Sequence, residues 1–251
     1  MGEKELVIEI RDLVKSFDGR PVLDGINLKI YRGETMVIMG GSGCGKSSLM
    51  RHMVGLKSPA KGRVFYEDVN FWEAEAEQRD QIMRNIGILY QSGALWSSMT
   101  LAENITLPLG EYTDLSSAQM REIATFKLSL VGLAGFEDYY PSEISGGMRK
   151  RAGLARAMAL DPEVLFFDEP SAGLDPISAS LLDELILELR ESLGATIIVV
   201  THELASIFAI GNNSVYLDAD KKTMTAAGDP KKLLEETKDP DLRRFLTRGK
   251  N

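Results

Sequence analysis

A glycine-rich segment places the strongest constraint on what this chain can fold into. It follows the short apolar run 36–39 and precedes a stretch of helical character, residues 46–54. The segment fits the pattern G-x-x-x-x-G-K-[ST], whose expected context is a strand before it and a helix after it. Its residues are Gly40, Gly41, Ser42, Gly43, Cys44, Gly45, Lys46 and Ser47, with Ser48 next in the helix.

Glycines let the backbone of this loop curl so that its N–H groups face inward. Those donors and the positive end of the following helix predict a site for two or three phosphates. Lys46 would add a full positive charge at the β- and γ-phosphates, and the Ser47 hydroxyl would ligate Mg²⁺. We interpret Cys44, the single cysteine of the chain, as a small spacer rather than a reactive thiol. A single cysteine excludes an internal disulfide and a multi-cysteine zinc site.

Short apolar runs alternate with helix-like segments along most of the 251 residues. This order predicts an α/β fold with a mostly parallel sheet, helices on both faces and an added antiparallel β layer from residues 1–35 and 60–72. Predicted strands are 6–10, 26–30, 36–39, 63–66, 86–90, 164–168 and 196–201, followed by a hairpin at 215–217 and 223–227. We expect one domain over 1–251, with a catalytic core (1–94 and 156–230), a helical subdomain (95–155) and a polar tail (231–251) containing a short helix.

Two helix starts are marked by their capping residues. Ser116 and Gln119 fit a capping box. Asp175 can cap a helix whose first residue is Pro176, a residue suited to the first helical turn. We predict that this second helix, 176–192, packs through one apolar stripe. The stripe would consist of Leu181, Leu185, Ile186 and Leu189.

Net charge and hydropathy limit the class of protein. A formal net charge of −8 argues against a nucleic-acid partner, because such proteins usually carry a basic excess. A local basic cluster is interpreted as a solvated helix face; it contains Arg149, Lys150, Arg151 and Arg156. No apolar run reaches the length of a membrane helix, and the first residues lack a signal-peptide core. We therefore expect the chain to remain in the cytosol.

An acidic pair ends the apolar strand 164–168. In a parallel sheet, ligands bind beyond the carboxyl ends of the strands, so Asp168 and Glu169 are expected beside the glycine-rich loop. Asp168 is a candidate Mg²⁺ ligand, and Glu169 is our candidate general base for a water in line with the γ-phosphate. His202 follows the strand 196–201 and should emerge at the same edge, where a lone histidine is more often structural.

A second glycine motif, Ile144-Ser145-Gly146-Gly147-Met148, lies 23 residues before Asp168, counted from Ser145. Together with the glycine-rich loop, Gln91, the segment 171–175 and His202, it makes the chain resemble the ABC ATPases, with the motifs in the family's order from residue 40 to 202. The resemblance covers nearly the whole chain. It implies a P-loop NTPase of the ABC ATPase type that hydrolyses ATP with Mg²⁺ in a head-to-tail homodimer. Each site then takes the P-loop of one subunit and the Ser145-led helix tip of the other.

The same resemblance assigns roles to further residues. Phe17 stands where the family stacks an aromatic ring on adenine, although a core role is an alternative. Gln91 would sense Mg²⁺ and the attacking water, His202 would contact the γ-phosphate, and Asp175 would link the two sites across the interface. Met148 departs from the glutamine usual at this position. Because the serine and the glycines before it keep the phosphate-facing donors, we expect hydrolysis to survive.

One branch of the family matches in more detail. The Ser-Gly-Gly-Met signature with basic residues after it, the segment 218–222 and the tail 239–246 resemble ATPases of MCE-type lipid transporters. This implies a peripheral protein on the cytoplasmic face of the inner membrane. Its partners would be transmembrane permease subunits, a periplasmic MCE-domain lipid carrier and, in some systems, a STAS-domain protein, with phospholipid as cargo. Leu95 and Trp96 would grip the permease or belong to the core, and the tail would dock on a neighbouring subunit or fray. In this branch the basic residues 149–151 would be partly interface or structural rather than a solvated face.

The alternatives to a lipid transporter differ from it in their sequence features. ABC proteins of DNA repair carry a long coiled coil between the two glycine motifs, whereas here about 100 residues separate them without heptads. Translation-associated ABC proteins carry two cassettes, and this chain carries one. A transport ATPase for another cargo stays open, because the cassette does not touch the cargo. Intact Lys46, Asp168, Glu169 and His202 argue against a degenerate cassette.

Overall fold

Two β-sheets form the framework in the computed structural model, which describes residues 5–17 and 20–248. The antiparallel sheet has the order β2-β1-β4-β5; its strands are β1 (Leu6–Phe17), β2 (Arg20–Tyr31), β4 (Lys61–Tyr66) and β5 (Val69–Asn70). The larger sheet has the order β10-β9-β3-β8-β7-β6; its strands are β3 (Thr35–Gly40), β6 (Ile86–Leu89), β7 (Val164–Asp168), β8 (Thr196–Thr201), β9 (Asn213–Leu217) and β10 (Met224–Gly228). Only the β9–β10 pair of this larger sheet is antiparallel.

Helices occupy the connections between the strands. Their bounds are α1 (Lys46–Met53), α2 (Ala76–Arg84), α3 (Leu101–Tyr112), α4 (Ser117–Leu130), α5 (Gly146–Ala157), α6 (Pro176–Leu193), α7 (Leu204–Ile210), α8 (Pro230–Glu236) and α9 (Pro240–Leu246). Within residues 5–17 and 20–248, no helix has the length and apolar character needed to cross a membrane. Helices α3, α4 and α5 pack together as the predicted helical subdomain.

The central strands are apolar because both faces of the parallel sheet are covered. Every residue of β3, β7 and β8 is buried. One apolar cluster joins this sheet to α3–α6, and a second joins it to α1 and the antiparallel sheet. The carboxyl ends of β3, β7 and β8 are therefore fixed from both sides, and the loops that leave them share one edge. The predicted α/β fold with its antiparallel layer is confirmed.

Both predicted helix starts are present. Ser116 accepts from the Gln119 backbone N–H in a capping box, and Asp175 accepts from the backbone N–H groups of Ile177 and Ser178. The predicted stripe of α6 was partly wrong, because Leu181 is 41% exposed. Its buried face instead consists of Leu182, Asp183, Ile186 and Leu189. Ile186 and Leu189 belong to both faces, and Leu182 and Asp183 are buried in place of Leu181 and Leu185.

Two further predictions need correction. The basic cluster is not a solvated face: Lys150 is buried, and the other three residues, Arg149, Arg151 and Arg156, are half-buried and donate to backbone carbonyls. The tail contains two short helices rather than one. It packs on its own chain, where Leu242 and Leu246 are buried and the Phe245 ring lies 5.3 Å from that of Tyr216.

Candidate functional site

The loop after β3 has a backbone that only glycine adopts at key positions. Gly40 has φ 153°, and a Cβ on it would lie 2.5 Å from the carbonyl oxygen of Leu217. Gly45 has φ 102°, and a Cβ there would meet the Leu23 side chain at 2.6 Å. Both values of φ are unfavourable for residues with a Cβ. The glycines thus allow a tight turn directly before α1.

The Lys46 ammonium is held inside this turn. Its Nζ donates to the carbonyl oxygens of Gly40 at 2.8 Å and Gly41 at 3.0 Å, and the residue is 7% exposed. A buried ammonium needs such acceptors, because an unpaired buried charge is costly. The charge is thereby positioned at the mouth of the loop, where the first N–H groups of α1 also lie.

A cavity of about 560 Å³ gathers half of the predicted site residues. Its lining is Val22, Ser42, Gly43, Gly45, Lys46, Ser47, Ser48, Gln91, Glu169 and His202. Five separate segments contribute to it: β2, the loop with α1, the end of β6, and the ends of β7 and β8. Val22 on β2 was not predicted, since a single apolar residue on a strand carries no sequence signal for a ligand.

Asp168 faces the glycine-rich loop from the end of β7. The Ser47 hydroxyl donates to Asp168 Oδ1 at 3.0 Å. Burial raises the pKa of the Asp168 carboxyl, and the hydrogen bond from Ser47 partly opposes that rise. Two oxygen atoms that could ligate a hard cation, one from a hydroxyl and one from a carboxylate, thus lie 3.0 Å apart beside the glycine-rich loop.

Glu169 occupies a strained backbone position with φ 49°. Its N–H donates to the Val200 carbonyl of β8 at 2.8 Å, and its Oε1 lies 2.8 Å from Nδ1 of His202. The second carboxylate oxygen, Oε2, is buried and has no hydrogen-bond partner within residues 5–17 and 20–248. The contact with His202 therefore holds one oxygen of the carboxylate in place.

The second glycine motif starts α5 and does not line this cavity. Ser145 caps the helix by accepting from the Met148 N–H at 3.2 Å, and Ser145 and Gly146 are exposed. The helix tip presents unpaired N–H groups to solvent, which is an arrangement suited to an anion. Within one chain, the two glycine motifs thus lie on separate surfaces, each at the N-terminus of a helix.

Three other predicted site residues have different surroundings. Asp175 is the cap of α6, and the Ser178 hydroxyl lowers the pKa of its carboxyl. Cys44 is buried, and burial raises the pKa of its thiol, which disfavours a reactive thiolate. The side chain of Phe17 lies outside the described part of the chain.

The segment after Glu169 is held by polar groups that sequence reasoning missed. Lys150 donates to the carbonyls of Pro170, at 2.6 Å, and Ala172. The Ser206 hydroxyl donates to Asp183 Oδ2 at 2.9 Å, and its oxygen lies 3.2 Å from Oγ of Ser171. No sequence signal indicated these contacts, because Asp183 and Leu182 lie outside the stripe predicted for α6.

Comparisons with known proteins agree with this geometry. The profile of the family described as ABC transporter matches residues 23–172. The chain is 39% identical over 241 residues to the probable ribonucleotide transport ATP-binding protein mkl of Mycobacterium leprae, covering 96% of this chain and 69% of that protein. It is 37% identical over 240 residues to the intermembrane phospholipid transport system ATP-binding protein MlaF of Escherichia coli, covering 96% of this chain and 88% of that protein. It spans 66% of the mkl protein of Mycobacterium tuberculosis.

Two solved structures are close in fold. The ATP-binding cassette MJ0796, in a dimeric post-hydrolysis state with ADP and Pi, has a TM-score of 0.80 at 27% identity, covering 88% of this chain and 98% of that one. The cbiO1 protein of Clostridium perfringens, part of the ABC transporter complex cbiONQ, has a TM-score of 0.83 at 27% identity, covering 98% and 96%.

A P-loop, an acidic pair and a separate serine-capped helix tip on this fold define an ABC-type ATPase. The chain belongs to the ABC transporter family and is an ATP-binding, ATP-hydrolysing subunit of such a transporter. The family resemblance, the fold class and the ATPase activity predicted from the sequence are confirmed.

Proposed function

We propose that the chain hydrolyses ATP at a head-to-tail homodimer interface and thereby drives a membrane permease that moves phospholipid between bacterial membranes. The observation that carries the catalytic part is the cluster of Ser47, Asp168, Glu169 and His202 at one edge of the sheet. The cargo rests on similarity to MlaF, a phospholipid transport protein of which the chain covers 88%.

Phosphate binding begins with the P-loop. Its inward N–H groups and the N-terminus of α1 hold the phosphate oxygens, and Lys46 neutralises the charge of the β- and γ-phosphates. Nucleotide entering the cavity exchanges the carbonyl partners of Lys46 for phosphate oxygens, which bind an ammonium more strongly. The carbonyl contacts thus hold the Lys46 ammonium in the position from which it would bind phosphate.

The oxygen donors beside the loop fit Mg²⁺. Ser47 and Asp168 offer the hydroxyl and carboxylate that this cation prefers, at a separation that one ion can bridge, and Gln91 lies on the same cavity wall. When bound, Mg²⁺ supplies charge neutralisation across the β- and γ-phosphates. Ser47, Asp168 and Gln91 are the proposed metal ligands.

Glu169 is the proposed general base. The hydrogen bond from His202 orients the carboxylate, whose side chain is 12% exposed, to accept the proton of an attacking water. In this proposal His202 also contacts the γ-phosphate, and Gln91 orients the water. Each of these side chains lines the same cavity as Lys46.

A second copy of the chain completes the site. The exposed tip of α5, with Ser145, Gly146 and Gly147, offers free N–H groups that its own P-loop cavity does not use. In a head-to-tail pair that tip would bind the γ-phosphate held by the partner. Asp175 would then lie at the interface, and Phe17 would stack on adenine. Met148 leaves the backbone donors of the tip in place.

Further partners are proposed on the basis of the transporter family. Trp96 is 61% exposed, while Leu95 is half-buried against the helical core, so the segment offers one aromatic side chain to a transmembrane permease. The complex would lie on the cytoplasmic face of the inner membrane, with a periplasmic MCE-domain lipid carrier and, in some systems, a STAS-domain protein. No nucleic acid is involved in this proposal.

The base assignment is tested by Glu169→Gln. We expect the variant to bind ATP, to form a nucleotide-dependent dimer on size-exclusion chromatography, and to lose kcat by about 10²–10⁴-fold. Glu235→Gln, which changes an exposed glutamate on α8, should retain the wild-type rate. Turnover of Glu169→Gln at the wild-type rate would remove Glu169 from this role.

Cargo is tested on the gently solubilised complex. Mass spectrometry should find a permease and bound phospholipid with the tagged chain. The 39% sequence identity to the mkl protein, described as a probable ribonucleotide transport ATP-binding protein, favours ribonucleotide as the alternative cargo. Recovery of ribonucleotide or another soluble solute with its binding protein, and no phospholipid, would replace the lipid proposal.

A further inference from the structure

Lys150 is a buried ammonium whose donors all point to one short segment. The residue is 6% exposed, and its Nζ donates to the carbonyl oxygens of Pro170 at 2.6 Å and of Ala172, with the Glu169 carbonyl oxygen at 3.5 Å. Burial lowers the pKa of Lys150, and the charge of Glu169 opposes that effect. An ammonium has three N–H donors and no acceptor, so this side chain is committed to the segment 169–172.

Its neighbours in the basic cluster serve other loops. Arg149 donates to the Ile144 carbonyl at 2.9 Å, Arg151 to the Val131 carbonyl at 2.8 Å, and Arg156 to the Ala94 carbonyl at 2.7 Å. Arg149 and Arg151 fasten α5 within the helical subdomain, and Arg156 fastens it to the segment that follows β6. The contact of Lys150 is different, because it joins α5 to the loop that follows β7.

That loop contains the strained backbone of the proposed base. Glu169 has φ 49°, a left-handed value that is strained for a residue with a Cβ and persists only when its surroundings enforce it. On its amino side, the Glu169 N–H is fixed to Val200 of β8. On its carboxyl side, the carbonyls of Pro170 and Ala172 are fixed by Lys150. Removing the ammonium would leave these carbonyls without that donor and loosen the carboxyl side of the turn, where Ser206 still contacts Ser171.

The other end of α5 is the serine-capped tip. Gly146 and Lys150 are separated by four residues, which is ~6 Å along a helix. A helix is stiff over this length, so a displacement of its tip moves the ammonium and the carbonyls bound to it. We propose that Lys150 is a positioning residue that couples the α5 tip, which binds the partner's nucleotide, to the turn that aims Glu169 at the nucleotide of its own subunit. This inference rests on the roles proposed above for Glu169 and Ser145.

Lys150→Met tests the link in the full-length chain, because methionine keeps the length of the side chain and removes its donors. The control is Lys127→Met, which also removes a buried ammonium, but on α4, where Lys127 pairs with Asp161. Steady-state ATP hydrolysis, MgATP binding by calorimetry and thermal unfolding are measured for both. We expect Lys150→Met to lose kcat at least tenfold with KM and Kd for MgATP within about twofold, and Lys127→Met to keep kcat within twofold at a comparable loss of Tm.

The comparison separates positioning from simple loss of stability. Equal kcat values for the two variants, measured where both are folded, would overturn the proposal. If Lys150→Met does not fold, Lys150→Gln takes its place, since its amide retains N–H donors at shorter reach. A kcat at least threefold below wild type with unchanged KM then agrees with the proposal, and an unchanged kcat refutes it.

Failure of the underlying function gives a different result. If Glu169→Gln hydrolyses ATP at the wild-type rate, the role of Glu169 fails, whatever Lys150→Met does. If Glu169→Gln is inactive and Lys150→Met is as active as Lys127→Met, only the link through Lys150 fails.

Discussion

Nδ1 of His202 lies 2.8 Å from Oε1 of Glu169, across the carboxyl edge of the parallel sheet. The two residues come from different strand ends, β7 and β8, which pair directly in the sheet. Because the strands fix both backbones, the hydrogen bond selects one orientation of the carboxylate. The other oxygen, Oε2, is buried and has no hydrogen-bond partner among the described residues.

His202→Ala should therefore lower kcat by roughly 10²-fold, because the base loses the contact that orients it. Steady-state ATP hydrolysis measures the effect. Glu203→Gln is the matched control: it changes a carboxylate 3.8 Å from the other ring nitrogen of His202 without touching the Glu169 contact. We expect that control to stay within about twofold of wild type. Wild-type turnover in His202→Ala would show that the pair has no part in hydrolysis.

Ser47→Ala should weaken the use of Mg²⁺. The variant removes a hydroxyl that donates to Asp168 Oδ1 at 3.0 Å, and with it one of the proposed oxygen ligands. We expect the Mg²⁺ concentration for half-maximal ATP hydrolysis to rise at least fivefold, as read from a magnesium titration at fixed ATP. Ser129→Ala, which removes an exposed hydroxyl on α4 that donates to the Phe126 carbonyl, should leave the titration unchanged. Identical curves for both variants would contradict the ligand assignment.

The sequence was sufficient where local pattern and chemistry agree. Strands β3, β7 and β8 were predicted because each is an apolar run ended by glycine or a polar residue, and the parallel sheet then brings their ends to one edge. The cluster of Lys46, Ser47, Glu169 and His202 follows from that topology. Family resemblance supplied the two-subunit arrangement, which no single-chain pattern contains.

The sequence was insufficient to predict burial where the burial of a side chain depends on an element distant in the chain. Lys150 stands in a run of basic residues that is typical of a solvated face, and it is buried because α5 approaches the carbonyls of the segment 170–172. Asp183 is also buried by a distant element, since the hydroxyl of Ser206 on α7 donates to its carboxylate. Leu181 and Leu182 are equally apolar in the sequence, and only the packing of α6 decides which of them is buried.

Gly40→Ala should disrupt the phosphate-binding loop. The added Cβ would lie 2.5 Å from the backbone oxygen of Leu217, which cannot move without disturbing β9. We expect a loss of unfolding free energy of about 1–3 kcal/mol and at least a tenfold loss of ATP affinity, measured by urea unfolding and calorimetry. Gly110→Ala in α3 meets only the Met120 sulfur at 3.8 Å and should be neutral or stabilising. Normal ATP affinity in Gly40→Ala would contradict the described loop.

Asp183 gives a prediction about stability and pH. Burial raises the pKa of its carboxyl to about 6, and the Ser206 hydrogen bond opposes this only in part. The folded chain therefore binds this proton more tightly than the unfolded chain. The resulting stabilisation is complete below the unfolded pKa of 3.8 and declines as the pH rises toward the folded value.

Asp183→Asn removes that titration while it keeps an oxygen acceptor for Ser206. Relative to wild type, the variant should gain about 1–2 kcal/mol of unfolding free energy between pH 5 and pH 7.5. Urea unfolding at both pH values measures the difference, and every other titrating group cancels because both chains contain it. Asp114→Asn, which changes an exposed carboxyl before α4, should track wild type at both values. A difference between Asp183→Asn and wild type that does not change with pH would mean that Asp183 ionises in the folded chain as easily as in the unfolded one, and its burial between α6 and α7 would then need another source of charge compensation.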